Sequence, residues 1–220
     1  MSAGVSIARH RHRDGYVTII LAGGYHEAGL DGRRELGAGH VIVHHAFDAH
    51  LDHVGPGGAD LINLPLPSGI ELPVAFTIDD PDAIARLAET DPGEAAAALH
   101  PSGVVGTKSD WPDRLAADLV SRPDERLGGW ADRAGLAAET LSRGFRSAFG
   151  VAPARFRAEV RARRAMVLIE QAELSLANIA ADCGFSDQPH LNRAIVELTG
   201  RSPGQWRRSN SFKSRGGISN

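Results

Sequence analysis

Two histidines separated by a single residue, His10 and His12, are the first side chains in the sequence with chemistry beyond packing. On a β-strand, residues two apart point to the same face, so the two imidazoles would lie side by side. Eight of the ten histidines of the chain precede residue 54. Neutral imidazole binds zinc and other divalent transition metals, so the first quarter of the chain indicates a metal or polar ligand site.

The residues that follow form two spaced elements. The first element begins with His10 and His12 and continues with Tyr16 and Gly23, and the second consists of Gly39, His45, Phe47 and His50. Residues 5–66 thereby resemble the cupin motif, in which two histidines, a glutamate and a later histidine hold a metal inside a β-barrel.

The cupin resemblance implies an effector or metal site made of His10, His12, Tyr16 and His50. Tyr16 takes the position of the glutamate, so this set contains no carboxylate. Three imidazoles could hold zinc or a similar ion, with Tyr16, water or an effector as the fourth ligand. His44, His45 and His53 could act as alternates. In the alternative interpretation the histidines only line a polar pocket, and no cofactor is required.

The segments around these residues predict the strands that position them. Residues 17–22, 41–43 and 61–64 are short apolar runs separated by glycine and proline, with Gly23-Gly24 as one break. This pattern predicts a small antiparallel barrel or sandwich over residues 1–80. The Asp80-Pro81 start predicts a helical segment, which is followed by a linker over 100–108 and completes residues 81–109.

Charge divides the chain into two halves. The net charge is -3, but residues 1–110 hold seven Lys and Arg against fifteen Asp and Glu, while residues 111–220 hold seventeen against twelve. A basic half of this kind is a candidate for binding nucleic acid. From Asp110 to about Arg208 the sequence predicts helices, and the tail over 209–220 is predicted to be disordered.

An internal repeat occupies the basic half. Residues 131–157 and 180–207 align with one inserted residue, and each copy predicts a helix, a glycine turn and a second helix. Gly135 and Gly184 are the predicted turns, and Ser175 and Ser186 are predicted helix caps in the second copy. The predicted buried stripes of the second helices are Leu141, Phe145 and Phe149, and Leu191, Ile195 and Leu198.

This arrangement is the helix-turn-helix pattern, whose second helix enters a DNA major groove. Between the copies, Pro153 starts a helix predicted to run to about Ala172 and to span ~30 Å. Two recognition helices separated by that length could reach successive major-groove openings, which lie ~34 Å apart. Further arginines are candidates for phosphate contacts or, alternatively, for surface salt bridges: Arg155, Arg157, Arg161, Arg163, Arg164, Arg207 and Arg208.

The segments CGFSDQ and GRSPGQWR closely resemble the signature of the AraC/XylS transcription regulators, and the resemblance covers residues 110–208. It implies that bases are read by Glu139, Ser142, Arg143 and Arg146 of the first unit and by Gln188, His190, Asn192 and Arg193 of the second. Arginine favours guanine, and Gln or Asn favours adenine. The resemblance also implies that Arg155, Arg157, Arg207 and Arg208 contact phosphates of the DNA backbone.

Some residues depart from the family pattern. Gly128, Gly129 and Gly144 lie inside predicted helices, at up to ~1 kcal/mol each relative to alanine, which predicts a loose first unit. Thr199 stands where the first copy and the family have phenylalanine. Val196-Glu197 replace residues that are often basic, which predicts a weaker grip of the second unit on the DNA backbone.

These features predict a β + α multidomain protein that regulates transcription, with promoter DNA, a small-molecule or metal effector, RNA polymerase and a second copy as expected partners. Without an apolar run of ~20 residues or a signal peptide, we expect a cytoplasmic protein without a membrane partner. The lone Cys183 is expected to be inert core. No catalytic residue is predicted. The alternatives are a metal-dependent cupin enzyme with a helical appendage, and a regulator whose first half only dimerises or docks on polymerase.

Overall fold

The computed structural model describes residues 1–171 and 174–208, with strands in the first half and helices in the second. The seven strands are β1 (Ser6–Arg11), β2 (Tyr16–Gly29), β3 (Gly32–Gly37), β4 (His40–His44), β5 (Ala49–Pro65), β6 (Ala75–Thr77) and β7 (Gly103–Val104). They form one antiparallel sheet in the order β1-β5-β2-β4-β6-β7, with β3 paired to β2. The prediction of an antiparallel first half is confirmed. The predicted tail, and the predicted helix end near residue 172, lie outside the described residues.

The two long strands β2 and β5 pair along most of their length, with two changes of register on β2, between Ile20 and Ala22 and between Gly23 and Tyr25. Gly23 has a φ of 68°, and a Cβ atom there would lie 2.1 Å from the carbonyl oxygen of Gly58. Only glycine fits such an approach. The prediction that Gly23-Gly24 interrupts the strand is therefore wrong, because the pair forms an irregularity inside a continuous strand.

Two short helices, α1 (Pro81–Ala88) and α2 (Pro92–Ala97), cover one face of the sheet. Asp80 and Asp91 cap them by accepting backbone N–H groups. Apolar side chains of α2 share a buried cluster with Val17 and Ile19 of β2. The segment over 100–108, expected as a linker, adds β7 to the edge of the sheet beside β6.

The second half consists of α3 (Trp111–Ser121), α4 (Leu127–Ala134), α5 (Ala138–Phe149), α6 (Pro153–Gln171), α7 (Leu176–Asp182) and α8 (Gln188–Thr199), and the chain is helical again over 203–208. Gly135 and Gly184, with φ of 66° and 73°, join α4 to α5 and α7 to α8. Both predicted glycine turns are confirmed. All six residues of the two predicted stripes are buried. Within the described ranges no helix is both long and apolar enough to cross a membrane.

The caps of the second helical pair agree with the sequence only in part. Ser175 accepts a hydrogen bond from the Asn178 N–H at 3.1 Å, as predicted. The predicted cap at Ser186 is wrong: Asp187 occupies the cap position and accepts from the His190 N–H at 2.6 Å. The hydrogen bond to the Asp187 carboxylate is charge-assisted, and the carboxylate lies at the positive end of the helix dipole.

The long helix α6 contributes to two separate helical cores. Its first half packs Phe156 against Phe145 and Phe149 of α5, and its second half packs Ile169 against α7 and α8. The sheet half takes part in both cores. Ala28 and Leu51 contact the first core, and Phe47 lies in the second.

Candidate functional site

The sheet half contains a cavity of about 160 Å³ lined by the residues that the cupin spacing singled out. Register places His10 of β1 opposite His50 of β5, and Tyr16 of β2 opposite His44 of β4. The ring centroids of His10 and His50 are 4.3 Å apart, those of His10 and His12 5.0 Å, and those of His12 and Tyr16 4.8 Å. The structure therefore brings all four predicted site residues together.

Three further ionisable side chains line the pocket beside His50, and two of them are carboxylates. Glu27, His44 and Asp52 lie beside His50, and these four side chains are only 3% to 6% exposed. Donor atoms of Glu27, His44 and His50 lie within 4.8 Å of one another, as do those of His10, His12 and His50. The pocket thus contains two carboxylates in addition to the four residues that the cupin spacing implies.

Glu27 escaped the sequence analysis because of the irregular pairing of β2. Simple alternation places Glu27 and Tyr16 on opposite faces, but the two register changes between them bring both side chains to the pocket. Asp52 had a simpler signal, since it lies two residues after His50 on the same strand. His45 and His53 are exposed, and His53 pairs through Nδ1 with the Ser6 hydroxyl at 2.7 Å.

Burial dominates the electrostatics of the pocket. It lowers the pKa of His44 to about 3 and that of His50 to about 2, so both imidazoles are neutral, the form that binds metals. Burial raises the pKa of Asp52 to about 6, and burial together with Asp52 raises the pKa of Glu27 well above its ordinary value. Burial likewise raises the pKa of Tyr16, which disfavours a phenolate.

The predicted base-reading side chains lie on two helices that follow the glycine turns. On α5, Glu139, Arg143 and Arg146 are exposed and Ser142 is half-buried. On α8, the exposed residues are Gln188, His190 and Arg193, and Asn192 is half-buried. Among the described residues, Arg143, Arg146 and Arg193 form no ion pair with any carboxylate. Three guanidinium groups are therefore left to bind an external acceptor.

The predicted phosphate-contacting arginines make more contacts within the protein. Arg155 pairs with Glu197 at 2.6 Å and with Glu159 at 3.4 Å. Arg157 donates to the Glu125 carbonyl at 3.1 Å, and Arg207 donates to the carbonyl of Leu174. Arg208 is exposed. Their contacts with a DNA backbone stay a prediction.

Arginines of the sheet half bind the helical half directly. Arg9 donates through Nε to Glu159 of α6 at 3.0 Å and through Nη1 to the carbonyl of Phe149, the last residue of α5, at 3.2 Å. Arg33 makes a two-point contact with Asp113 of α3 at 3.0 and 2.8 Å, which raises the pKa of Arg33. Arg11 donates to the carbonyl of Glu197 on α8 at 3.2 Å.

Comparison with known proteins finds similarity in the helical half. Residues 130–209 match the sequence profile described as a helix-turn-helix domain. The HTH-type transcriptional activator RhaR of Escherichia coli (strain K12) is 32% identical over 100 residues, which cover 46% of this chain. The matching region covers only 35% of the length of that relative, about a third. RhaR of Shigella flexneri matches to the same extent.

Solved structures of similar fold include the DNA-binding domain of AdpA in complex with a target DNA. It is 26% identical with a TM-score of 0.46, and the match covers 50% of this chain and all of that one. ToxT of Vibrio cholerae is 11% identical with a TM-score of 0.46, and covers 94% of this chain and 95% of its own.

Residues 130–209 are thus similar to a helix-turn-helix domain. The similarity to the transcriptional activator RhaR likewise lies in the C-terminal half of the chain.

Proposed function

We propose that the chain regulates transcription by binding specific double-stranded DNA sequences through α5 and α8. The observation that carries this proposal is the pair of exposed arginines, Arg143 and Arg193, which occupy equivalent positions of the repeat and form no ion pair in the described part of the chain. A guanidinium group on a helix in the major groove recognises guanine through O6 and N7.

In this proposal both helical pairs are helix-turn-helix units. The linking helix α6 has 19 residues and spans ~28 Å, close to the ~34 Å between successive major-groove openings on one side of DNA. Both units can then read one DNA face from a single chain. The helix-turn-helix profile and the similarity to a transcriptional activator support this assignment.

We further propose that the sheet half is a cupin-like domain that senses an effector, a small molecule or a metal ion, in the histidine pocket. Strand β1 supports a regulatory role. Its His10 side chain faces the pocket, while Arg9 and Arg11 on either side of it contact the C-terminal residue of α5 and a carbonyl of α8. A ligand that moves β1 would therefore act on both recognition helices.

The metal-dependent enzyme is the weaker candidate. The cupin spacing implies a ligand set without a carboxylate, but the pocket does contain two, Glu27 and Asp52. The relatives of the helical half are nevertheless described as a transcriptional activator and not as an enzyme. A regulator that uses the same pocket to sense its ligand accounts for both halves of the chain.

The decisive experiment is selection of bound duplexes from a random DNA pool by the full-length protein. We expect two enriched boxes about one helical turn apart, one for each unit. Arg143→Ala should abolish base preference in one box and Arg193→Ala in the other, because each loses the contacts to its guanine. Arg86→Ala, an exposed arginine on α1 in the sheet half, is the matched control and should select the same boxes as the unaltered protein. Equal enrichment by all variants, or none by any, would contradict the proposal.

A further inference from the structure

Four buried side chains converge in the deepest part of the histidine pocket without satisfying one another. Glu27 Oε2 and His44 Nε2 are 3.6 Å apart, and His50 Nε2 and Asp52 Oδ2 are 3.9 Å apart. Both distances exceed a normal hydrogen bond, and Glu27 Oε2 accepts only a long one, from the Tyr25 hydroxyl at 3.5 Å. His50 Nδ1 and Asp52 Oδ1 are buried and have no hydrogen-bond partner.

Such a cluster lowers the stability of the folded protein. A buried polar atom without a partner costs about 1–3 kcal/mol, and a buried carboxylate costs more. The four groups share one property, which is that each can present a lone pair to a common cation. A divalent ion between them would accept a lone pair from one ring nitrogen of each imidazole, and it would balance the charge of the carboxylates that release their protons to bind it.

We propose that Glu27, His44 and His50 bind a divalent transition-metal ion, with Asp52 beside them as a further oxygen ligand. This inference rests on the proposed function where it makes that ion the effector of the sensor half. Two imidazoles and one carboxylate form a donor set known for zinc and for ferrous iron, whereas magnesium and calcium prefer oxygen ligands alone.

The inner site differs from the set that the cupin spacing implies. His10 and His12 form a trio with the same His50, but His12 is exposed and His10 half-buried. The phenol of Tyr16, at the position of the cupin glutamate, supplies no charge. Both trios use His50, so the two positions compete for it, and Glu27 favours the inner one because its carboxyl group becomes an anionic ligand when it releases its proton to the ion.

The site can be tested on full-length protein carrying no histidine tag and stripped with a chelator. We expect Co²⁺ and Zn²⁺ each to bind at one ion per chain in calorimetry, and Co²⁺ to give a visible absorption spectrum of a four- or five-coordinate site. Removing a residue that only hydrogen-bonds to a metal ligand typically weakens metal binding by about 10-fold to 100-fold. Glu27→Gln and His44→Ala each remove a ligand itself, so each should weaken binding by more than that. His53→Ala, which removes an exposed histidine outside the pocket, is the control and should bind as the unaltered chain does.

Two outcomes would overturn the inner site. One is a stoichiometry below about 0.1 ion per chain in a protein whose circular dichroism shows it folded. The other is metal affinity that depends on His10 and His12 but not on Glu27, which would assign the ion to the outer trio.

The DNA selection experiment keeps this inference separate from the proposed function. Metal binding without sequence-selective DNA binding would contradict the regulator and leave the site standing. Selective DNA binding by a protein that binds no metal would contradict the site alone. A change of at least a few-fold in DNA affinity between stripped and Zn²⁺-loaded protein would establish the ion as the effector, and an unchanged affinity would reject that role.

Discussion

Phe47, in the loop between β4 and β5, is a buried aromatic residue in a backbone conformation that phenylalanine rarely adopts. Its φ is 65°, in the left-handed region, where it is the only non-glycine residue among those described. Its ring packs edge-to-face against Trp206 with centroids 5.6 Å apart, inside the core that α7 and α8 share. A residue of the sheet half therefore fills space in the second helical unit.

The same core explains how Thr199 is accommodated in a position where the first unit has Phe149. The Thr199 hydroxyl accepts a hydrogen bond from the Trp206 indole at 2.8 Å and donates to the Ile195 carbonyl at 2.8 Å. The Arg201 N–H also donates to this hydroxyl at 3.1 Å, so threonine replaces aromatic packing with hydrogen bonds, and Phe47 adds a ring to this core from outside the unit.

Phe47→Ala should lower the free energy of unfolding by about 3–5 kcal/mol, because it removes a buried ring and leaves a cavity between the two halves. Urea unfolding followed by circular dichroism measures this change. Val104→Ala, at a side chain that is 77% exposed, should alter stability by less than about 0.5 kcal/mol. If Phe47→Ala proved equally mild, the ring would not be part of the second core.

At the scale of elements, the contact between α3 and α5 depends on the absence of a side chain at Gly144. A Cβ atom there would lie 2.4 Å from Cζ2 of Trp111. The sequence predicts that Gly144 loosens the first unit. The structure shows instead that this glycine lets the Trp111 ring pack against α5. Gly128 differs, because a Cβ atom there would have no neighbour within 4 Å.

Gly144→Ala and Gly128→Ala should consequently change stability in opposite directions. We expect Gly144→Ala to destabilise the protein by about 1–3 kcal/mol through overpacking, despite the better helix propensity of alanine. We expect Gly128→Ala to stabilise it by up to about 1 kcal/mol. Thermal unfolding of both variants gives the comparison, and a stabilising Gly144→Ala would show that Trp111 can move aside.

The buried ion pair between Arg9 of β1 and Glu159 of α6 also belongs to this scale. Burial lowers the pKa of Arg9 while the adjacent Glu159 opposes that effect. Both side chains are about 90% or more buried, at 6% and 10% exposure. Removing one member of such a pair leaves the other without compensation.

Arg9→Met should therefore destabilise the protein by about 3–5 kcal/mol. The ion pair between Arg155 and Glu159 reduces this loss, because it still balances part of the Glu159 charge. The double variant Arg9→Met/Glu159→Leu should recover much of the loss, because neither charge is then buried alone. A double-mutant cycle in urea measures the coupling. Additive effects of the two substitutions would mean that the pair contributes nothing to docking of the halves.

The sequence predicts those features that depend on residues close together in the chain, and it misses those that depend on contacts between residues far apart in the chain. The Gly184 turn and the Leu191, Ile195 and Leu198 stripe are confirmed, because helix periodicity and a left-handed glycine are local signals. The pocket position of Glu27 was not predictable by alternation, since it depends on how β2 pairs with β5. The Arg9–Glu159 contact joins residues 150 positions apart, and no local pattern encodes it.

At the scale of the whole molecule, the sheet half and the helical half share buried surface at two places. Ala28 and Leu51 pack into the core of the first helical unit and Phe47 into that of the second. The ion pairs of Arg9 and Arg33 lie beside these contacts. The chain therefore divides into two parts by charge, but the two parts are energetically linked.

Full-length protein should accordingly unfold in one cooperative thermal transition, with near-UV and far-UV signals changing together. A fragment comprising residues 110–208 should melt at a lower temperature than the full chain, because it lacks Phe47 and exposes Glu159. Two separate transitions in the intact protein, or an equally stable fragment, would show that the halves are independent.

The alternation along β1 and β5 has a consequence for how this chain can vary in evolution. His10, His50 and Asp52 face the pocket, whereas Arg9 and Leu51, their immediate neighbours, face the helices. Inserting or deleting one residue in either strand would exchange the two sets, turning imidazoles toward the helices and an arginine or leucine toward the pocket. Homologues that keep both the pocket and the docked helices should therefore differ by substitutions in these strands and carry their length changes in the loops.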